Sequence, residues 1–297
     1  MHIRQTLQGN SLVLPGRAEK YATTKHRKGR NMQSRKGIDH FQLKILGIIL
    51  MTFDHLGAFL VTETPVWFGW LGRPVAIIFL SGCAEGYQHT RNKAKYLRNL
   101  LVGFWVMNFG NFLLGKLFPV EGVELYANIF GALFWSVLSM LLVDTFTKNV
   151  RLKRYFVCVG IAAFVLLSLF MGIALIPIMD INLTLGVLLF NLIPIPMFVE
   201  GGILYILIAL LFYLFREKRG LQLLTIVGAS AIFLISSMGA GNLLTENYQW
   251  MAIFSVIPIA LYNGEKGKSM KSFFYLYYPL HIYGIYMISY WISRTGI

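Results

Sequence analysis

The sequence predicts an all-α fold: a polytopic membrane helix bundle of about nine transmembrane helices plus one re-entrant or interfacial segment. Three observations predict it. Hydrophobic residues make up 56% of the 297 and charged residues only 13%, against about 25% charged in ordinary soluble domains. Apolar runs of about 20 residues, the length that crosses roughly 30 Å of hydrocarbon, recur along the chain. Most of the cations fall in alternate loops between those runs, the pattern that orients spanning helices.

The elements follow in order. Residues 1–37 are polar and basic, with KHRKGR at 25–30; they lack the apolar core of a signal peptide and read as a disordered cytoplasmic tail. Residues 38–297 form the transmembrane domain. Its spans are expected at 41–61, 70–90, 97–118, 125–146, 155–176, 198–215, 221–240, 249–263 and 272–292. Between the fifth and sixth lies LTLGVLLFNLIPIPMF, 183–198, interrupted by Pro194 and Pro196. It is too short to span and fits a re-entrant or interfacial segment, since irregular backbone at membrane depth needs protein or water around it. Of the 27 Lys and Arg, 23 lie in the tail and in loops 89–99, 147–154, 216–220 and 264–271, all on one side if nine spans alternate. The opposite loops hold mostly acids, among them Glu63, Glu121, Glu124, Asp180 and Glu246. The N-terminus is therefore expected in the cytoplasm and the C-terminus outside.

A net charge of +14 would also suit a nucleic-acid binder, but cations placed between apolar runs point to a lipid bilayer, and no nucleic-acid partner is expected. Cys83 and Cys158 sit in apolar runs and read as small buried hydrophobes. No P-loop, Rossmann fingerprint, zinc spacing or nucleophile elbow is visible, so no metal is expected.

Ionisable groups inside spans cost about 2.5–3.5 kcal/mol each near the centre, which makes them candidates for function. The first span carries Lys44, Asp54 and His55. Eleven residues separate Lys44 from His55, a net rotation of roughly 20°, so both share a face; Asp54 points about 100° away from His55. A buried imidazole with a carboxylate suits general-base work, or serves as polar glue between helices. Arg73, in GWLGRP, lies near the depth of Asp54 and either pairs with it or snorkels to the interface. Glu85 and His89 are four apart on one helical face, and His89 or Arg91 would partner Glu85. Asn108, Asn111 and Asn128 read as structural hydrogen-bonding groups, as does Glu200 at a helix N-terminus. His281 follows Pro279, expected to bend the last helix, and is flanked by Tyr277, Tyr278 and Tyr283; it either lines a cavity or sits in an aromatic belt.

These residues resemble a known family. LKILGIILMTFDHLG, then LGRPVAIIFLSGCAEGYQHTRNKAKYLRNL, then a helix beginning near Asn128, and finally YYPLH are similar to the TraX family, in order and spacing, from about residue 39 to 285. The resemblance implies a polytopic membrane protein of the bacterial cytoplasmic membrane and an acetyltransferase-like activity, the founding one being N-terminal acetylation of conjugative pilin. It also extends to broader membrane acyltransferase groups, whose first helix has a basic residue and, eleven positions on, a functional histidine. Lys44 and His55 match that spacing, with Lys where Arg is more usual.

The resemblance thus implies an acyltransferase that takes an acetyl group from acetyl-CoA on the cytoplasmic side and passes it to an amine or hydroxyl of a pilin-like peptide or other small acceptor. In that reading His55 is the general base, Asp54 and Arg73 organise the outer site, and Glu85 and His281 complete the catalytic set. Lys44, His89, Arg91, Lys93, Arg151 and Arg154 lie toward the donor, the cations among them meeting the anionic phosphates of CoA. The alternative from the residues alone is a proton-coupled transporter or flippase that uses Asp54, Glu85 and His281 as a relay. A third is a membrane scaffold docked through its basic tail.

Overall fold

In a computed structural model the described residues are 36–60, 62–147, 151–239 and 241–295, with the side chains of 151–158, 160, 161, 164, 167, 168, 171, 176 and 271 outside the description. The tail expected over 1–37 therefore falls almost wholly outside it. The helices are α1 His40–Phe59, α2 Trp67–His89, α3 Lys93–Leu117, α4 Ile129–Thr147, α5 Arg151–Ile181, α6 Leu183–Leu192, α7 Gly202–Leu214 and α8 Arg219–Ser237. A 3₁₀ helix, Tyr248–Ser255, then runs straight into α9 Val256–Leu261, and α10 Lys271–Thr295 closes the chain. Apart from two isolated β-bridges, regular structure among the described residues is helical.

Local chemistry sets the boundaries. Asp39 accepts from the Gln42 N–H at 2.8 Å while the Gln42 side chain accepts from the Asp39 N–H at 2.9 Å. This reciprocal cap satisfies two donors that the first turn of α1 would otherwise leave bare. Asn92 and Asn182 cap α3 and α6 in the simpler way, each accepting one backbone N–H. The ten-residue α6 stops because Ile193 precedes Pro194 and is forced into extended backbone, φ −113° and ψ 120°. The segment 183–198 is thus a short helix and a turn. Pro279 lies inside α10 without ending it.

Five helices, α1–α4 and α8, are long and apolar enough to cross a membrane, which makes the chain a multi-pass membrane protein. The expected nine is matched in full length by those five; α6, α7 and the 248–261 helix are shorter apolar helices. Helices α2 and α4 are the inner ones, each buried over 56% of its apolar window, against 28% for α1 and 22% for α3. Helix α2 packs on α1, α4, α7 and the 3₁₀ helix, and α10 packs on α1 and α3. The outer faces stay apolar, with Leu117 58% and Ile173 78% exposed, a surface suited to lipid rather than water.

With so little polar surface inside, each interior hydrogen bond has a visible task. Asn128 donates to Asn108 Oδ1 at 2.5 Å and to the Phe104 carbonyl at 3.0 Å, and Asn111 donates to the Ala127 carbonyl at 3.1 Å. These bonds fix the α3–α4 connection, the structural role expected for the three asparagines. The indoles of Trp105 and Trp135 donate to the carbonyls of Leu192 and Pro194, both at 2.7 Å, and so secure the turn after α6. Asp144 on α4 accepts from Tyr87 of α2 at 3.1 Å and from Tyr213 of α7, tying three helices at one end. At that same basic end, Ile38 and His40 share backbone hydrogen bonds with Leu261, Asn263 and Glu265, which holds loop 262–268 against the start of α1.

Both tyrosines on Asp144 are buried, and a buried hydroxyl that loses its acceptor costs about 1–3 kcal/mol. Asp144→Ala is therefore expected to lower thermal stability in detergent by more than Tyr213→Phe, which removes a donor and leaves the carboxylate its Tyr87 bond. Equal melting temperatures for the two variants would contradict this account of the clamp.

Candidate active site

Two cavities meet near the middle of the bundle. The larger, about 970 Å³, opens at the basic end; the smaller, about 50 Å³, lies beyond it toward the far end of α1. The smaller has room for a few waters, at about 10–15 Å³ each, or for one small functional group. Met51, Phe79, Ile129 and Tyr278 line both and form a septum between them, one residue from each of α1, α2, α4 and α10.

His55 lines the small chamber. Its Nδ1 lies 2.7 Å from His281 Nε2, and His281 Nδ1 lies 2.7 Å from the Tyr277 carbonyl oxygen. A carbonyl only accepts, so His281 Nδ1 carries the proton, Nε2 of neutral His281 accepts, and His55 Nδ1 is the donor. The remaining nitrogen of His55, Nε2, is left as a lone-pair base. The rings lie within 19° of parallel with centroids 4.9 Å apart, consistent with a bond running in the ring planes. One turn away, Thr52 donates to the Ile48 carbonyl at 2.9 Å and accepts from the Tyr277 hydroxyl at 2.7 Å, a second tie between α1 and α10. His281 therefore stands behind His55 and is not among the residues lining either cavity; of the two readings open from the sequence, a cavity wall or an aromatic surround, the structure shows the ring among Tyr277, Tyr278 and His55. The cause is its bond to Tyr277, which turns the ring toward α1.

Asp54 points away from that pair and meets Arg73 at 2.6 Å, the partner expected from their matching depths. Arg73 also donates to the Gly69 carbonyl at 3.0 Å and to Gln249 Oε1 at 2.8 Å, and Gln249 passes a hydrogen bond to the Tyr205 hydroxyl at 3.0 Å. The guanidinium carbon lies 5.3 Å from the centre of the Tyr248 ring, close enough for a cation–π contact. Gly72 makes the ion pair possible: a Cβ there would stand 2.0 Å from the Asp54 carboxyl. Glu200 also lines the chamber. It sits in the turn two residues ahead of α7, next to that helix's N-cap Gly201, so the residue expected at a helix N-terminus also faces the chamber. Gln249, Tyr205 and Glu200 complete a wall that sequence reasoning did not assemble. Gln249 lies 176 residues from Arg73 in the sequence, and no spacing rule links the two.

The larger cavity is basic at its mouth. Lys44, His89 and Arg91 line it, as expected, together with Lys95, Lys266 and Lys268. Lys44 Nζ lies 5.1 Å from the Phe274 ring centre. Glu85 pairs with His89 at 2.9 Å on the cavity wall, away from His55, so it belongs to this cavity and not to the chamber. Lys93 does not line the cavity. Its Nζ donates to the Tyr87 carbonyl and lies 3.8 Å over the Tyr87 ring, because the last carbonyls of α2 attract a cation. Lys93, expected toward the donor, is thus directed to the end of α2. The side chains of Arg151 and Arg154 lie outside the described residues. Among the described residues no cluster of three or more His, Cys, Asp or Glu side chains is placed to hold a metal ion.

The arrangement joins a hydrogen-bond-oriented imidazole, an adjacent ion pair and a long cationic approach. No curated protein and no solved structure matches the chain. A family model described as "TraX protein" matches residues 40–289, which takes in all of α1 to α9 and most of α10, including His55, Arg73 and His281, and the chain belongs to the TraX family.

Proposed function

We propose that the protein is a membrane-embedded acyltransferase that moves an acetyl group from acetyl-CoA to the amine or hydroxyl of a peptide or other small acceptor. The observation that carries this reading is the junction of a large cation-lined cavity with a small chamber holding an oriented histidine. At about 970 Å³ the cavity stands at the upper end of the roughly 300–1,000 Å³ of ligand pockets, a size for a nucleotide-bearing thioester. Lys44, Arg91, Lys95, Lys266 and Lys268 on its walls suit phosphate groups. The apolar septum suits the thioester end.

The chemistry then needs only groups in the chamber. The acceptor nitrogen or oxygen attacks the thioester carbonyl carbon while its proton passes to His55 Nε2. The tetrahedral intermediate collapses with cleavage of the C–S bond, and the proton returns from His55 to the departing sulfur. His281 keeps Nε2 as the basic nitrogen throughout and steadies the imidazolium. The Asp54–Arg73 pair fixes the wall opposite, and Glu200 gives the acceptor side an acidic character. Such a base is typically worth about 10²–10⁴ in rate.

The basic end is taken as cytoplasmic, from the distribution of cations. With α6 as a re-entrant segment, nine crossings result from α1–α5, α7, α8, the continuous 248–261 helix and α10. This places the N-terminus inside the bacterial plasma membrane and the C-terminus outside. A transport reading draws on the same end-to-end cavities, with Asp54, Glu85 and His281 as the protonatable groups. Reconstituted vesicles separate the two, since transport predicts substrate movement without consumption of acetyl-CoA.

Three outcomes are expected. In membranes supplied with acetyl-CoA, His55→Ala lowers acetyl transfer by about 10²–10⁴, followed by mass spectrometry of membrane peptides; full activity in that variant would refute the base assignment. His281→Ala lowers kcat by a smaller factor with KM for acetyl-CoA unchanged. Lys266→Gln combined with Lys268→Gln raises the KM for acetyl-CoA several-fold, most strongly at low salt. For topology, a C-terminal tag is expected to be protease-accessible in intact spheroplasts, and an N-terminal tag only after lysis.

A further inference from the structure

Helices α1 and α2 change lining residues in the same order, and α4 and α10 each add one residue where the two cavities meet. On α1, Lys44 and Ile48 face the large cavity, Met51 lies at the septum and His55 lies in the chamber. On α2, Gly82, Cys83 and Glu85 face the cavity, Phe79 lies at the septum, and Arg73, Val75 and Ala76 line the chamber. On α4 and α10 the septum residues are Ile129 and Tyr278. A donor approaching from the basic end therefore meets one ring of four side chains before it reaches His55.

Three members of that ring are held in place. The Tyr278 hydroxyl oxygen accepts from the Ile129 N–H at the start of α4 at 3.1 Å, with Tyr278 also edge-on to Phe130 at 5.2 Å. Ile129 is fixed as the first residue of a helix whose preceding Asn128 is itself bound on both sides. The Phe79 ring packs against the backbone of α1 at Gly47, where an added Cβ would lie 3.5 Å from it. Met51 differs. It is unbranched, has three rotatable bonds and no polar tether, and is buried at 4% exposure, so it can change rotamer without breaking a hydrogen bond.

We propose that Met51 is the gate between donor cavity and chamber, and that its bulk limits the transferred acyl group to a short one. The proposal rests on the acyltransferase reading above and adds the residue that sets donor chain length. In the closed ring the thioester carbonyl cannot reach His55; a swing of the Met51 thioether admits an acyl group of about the size the 50 Å³ chamber can hold beside an acceptor. Longer chains stop at the septum, where each additional methylene in a fixed apolar pocket is worth about 10–200-fold in discrimination.

The test compares acetyl-, butyryl- and hexanoyl-CoA as donors with the full-length protein in detergent or proteoliposomes, for the wild type, Met51→Ala and Met51→Trp. Met51→Ala is expected to raise the butyryl-to-acetyl ratio of transfer at least tenfold. Met51→Trp is expected to retain acetyl-CoA binding within about threefold of wild type, which also shows that it is folded, while losing transfer. An unchanged chain-length profile in Met51→Ala, or full transfer by Met51→Trp, overturns the gate while leaving the acyltransferase reading intact. Absence of transfer from every thioester in the wild type overturns that reading and the gate with it.

Discussion

The hydrogen bond from His55 to His281 is the interaction on which the geometry of the centre depends. It spans 226 residues of sequence and joins the first described helix to the last. By itself one such bond is worth about 1 kcal/mol, but it decides more than its energy suggests. It ties the two helices in one register, and together with the Tyr277 carbonyl it sets the tautomer of each ring and which nitrogen of His55 keeps its lone pair. Two further bonds keep the same register: Tyr277 to Thr52 toward the basic end, and Ser289 to the Phe59 carbonyl at 2.5 Å at the far end. Three contacts along one seam leave little freedom for the helices to slide.

The remaining polar groups follow a single rule, that a charge in an apolar medium must find its counterpart nearby. Asp54 has Arg73, and Arg73 has three further partners, so each of its three nitrogens donates a hydrogen bond and its face meets Tyr248. Glu85 has His89. Asp144 has two tyrosines. The consequence is a bundle in which few polar side chains are idle and the cavities are lined by groups already oriented by their neighbours. A pre-arranged electrostatic environment of this kind needs no reorganisation when charge develops.

Much of this was legible in the sequence, where depth and periodicity carry information. Asp54 with Arg73 followed from matching positions on two antiparallel helices, and Glu85 with His89 from a spacing of four. The common face of Lys44 and His55 followed from eleven residues of helix and is seen again in the cavities, which Lys44 and His55 line in turn. Neighbourhood between distant helices was not legible, because hydrophobic period says which face is buried and not against what. His281 was therefore recognised as notable but left between a cavity wall and an aromatic belt, and Gln249 escaped notice on a 3₁₀ helix. Lys93 shows a different difficulty. Cations at the basic end follow from membrane orientation, from helix C-termini and from phosphate binding alike, and only the coordinates distinguish a lysine capping α2 from one facing the cavity. The number of spans had a similar ambiguity: charge alternation counts crossings, whereas helices such as the 13-residue α7 are short for the hydrocarbon thickness.

The placement of the two imidazoles on α1 and α10 also has a consequence for biosynthesis. Chains leave the ribosome N-terminus first at about 5–20 residues per second, so roughly 10–50 s separate the appearance of His55 from that of His281. During that interval α1 to α4 can enter the bilayer and begin to enclose space, but the ring that sets the tautomer of His55 has not been made. Prematurely terminated chains would carry an unoriented histidine and lack the α10 side of the septum. The histidine pair is thus assembled last, by the same helix that completes the bundle.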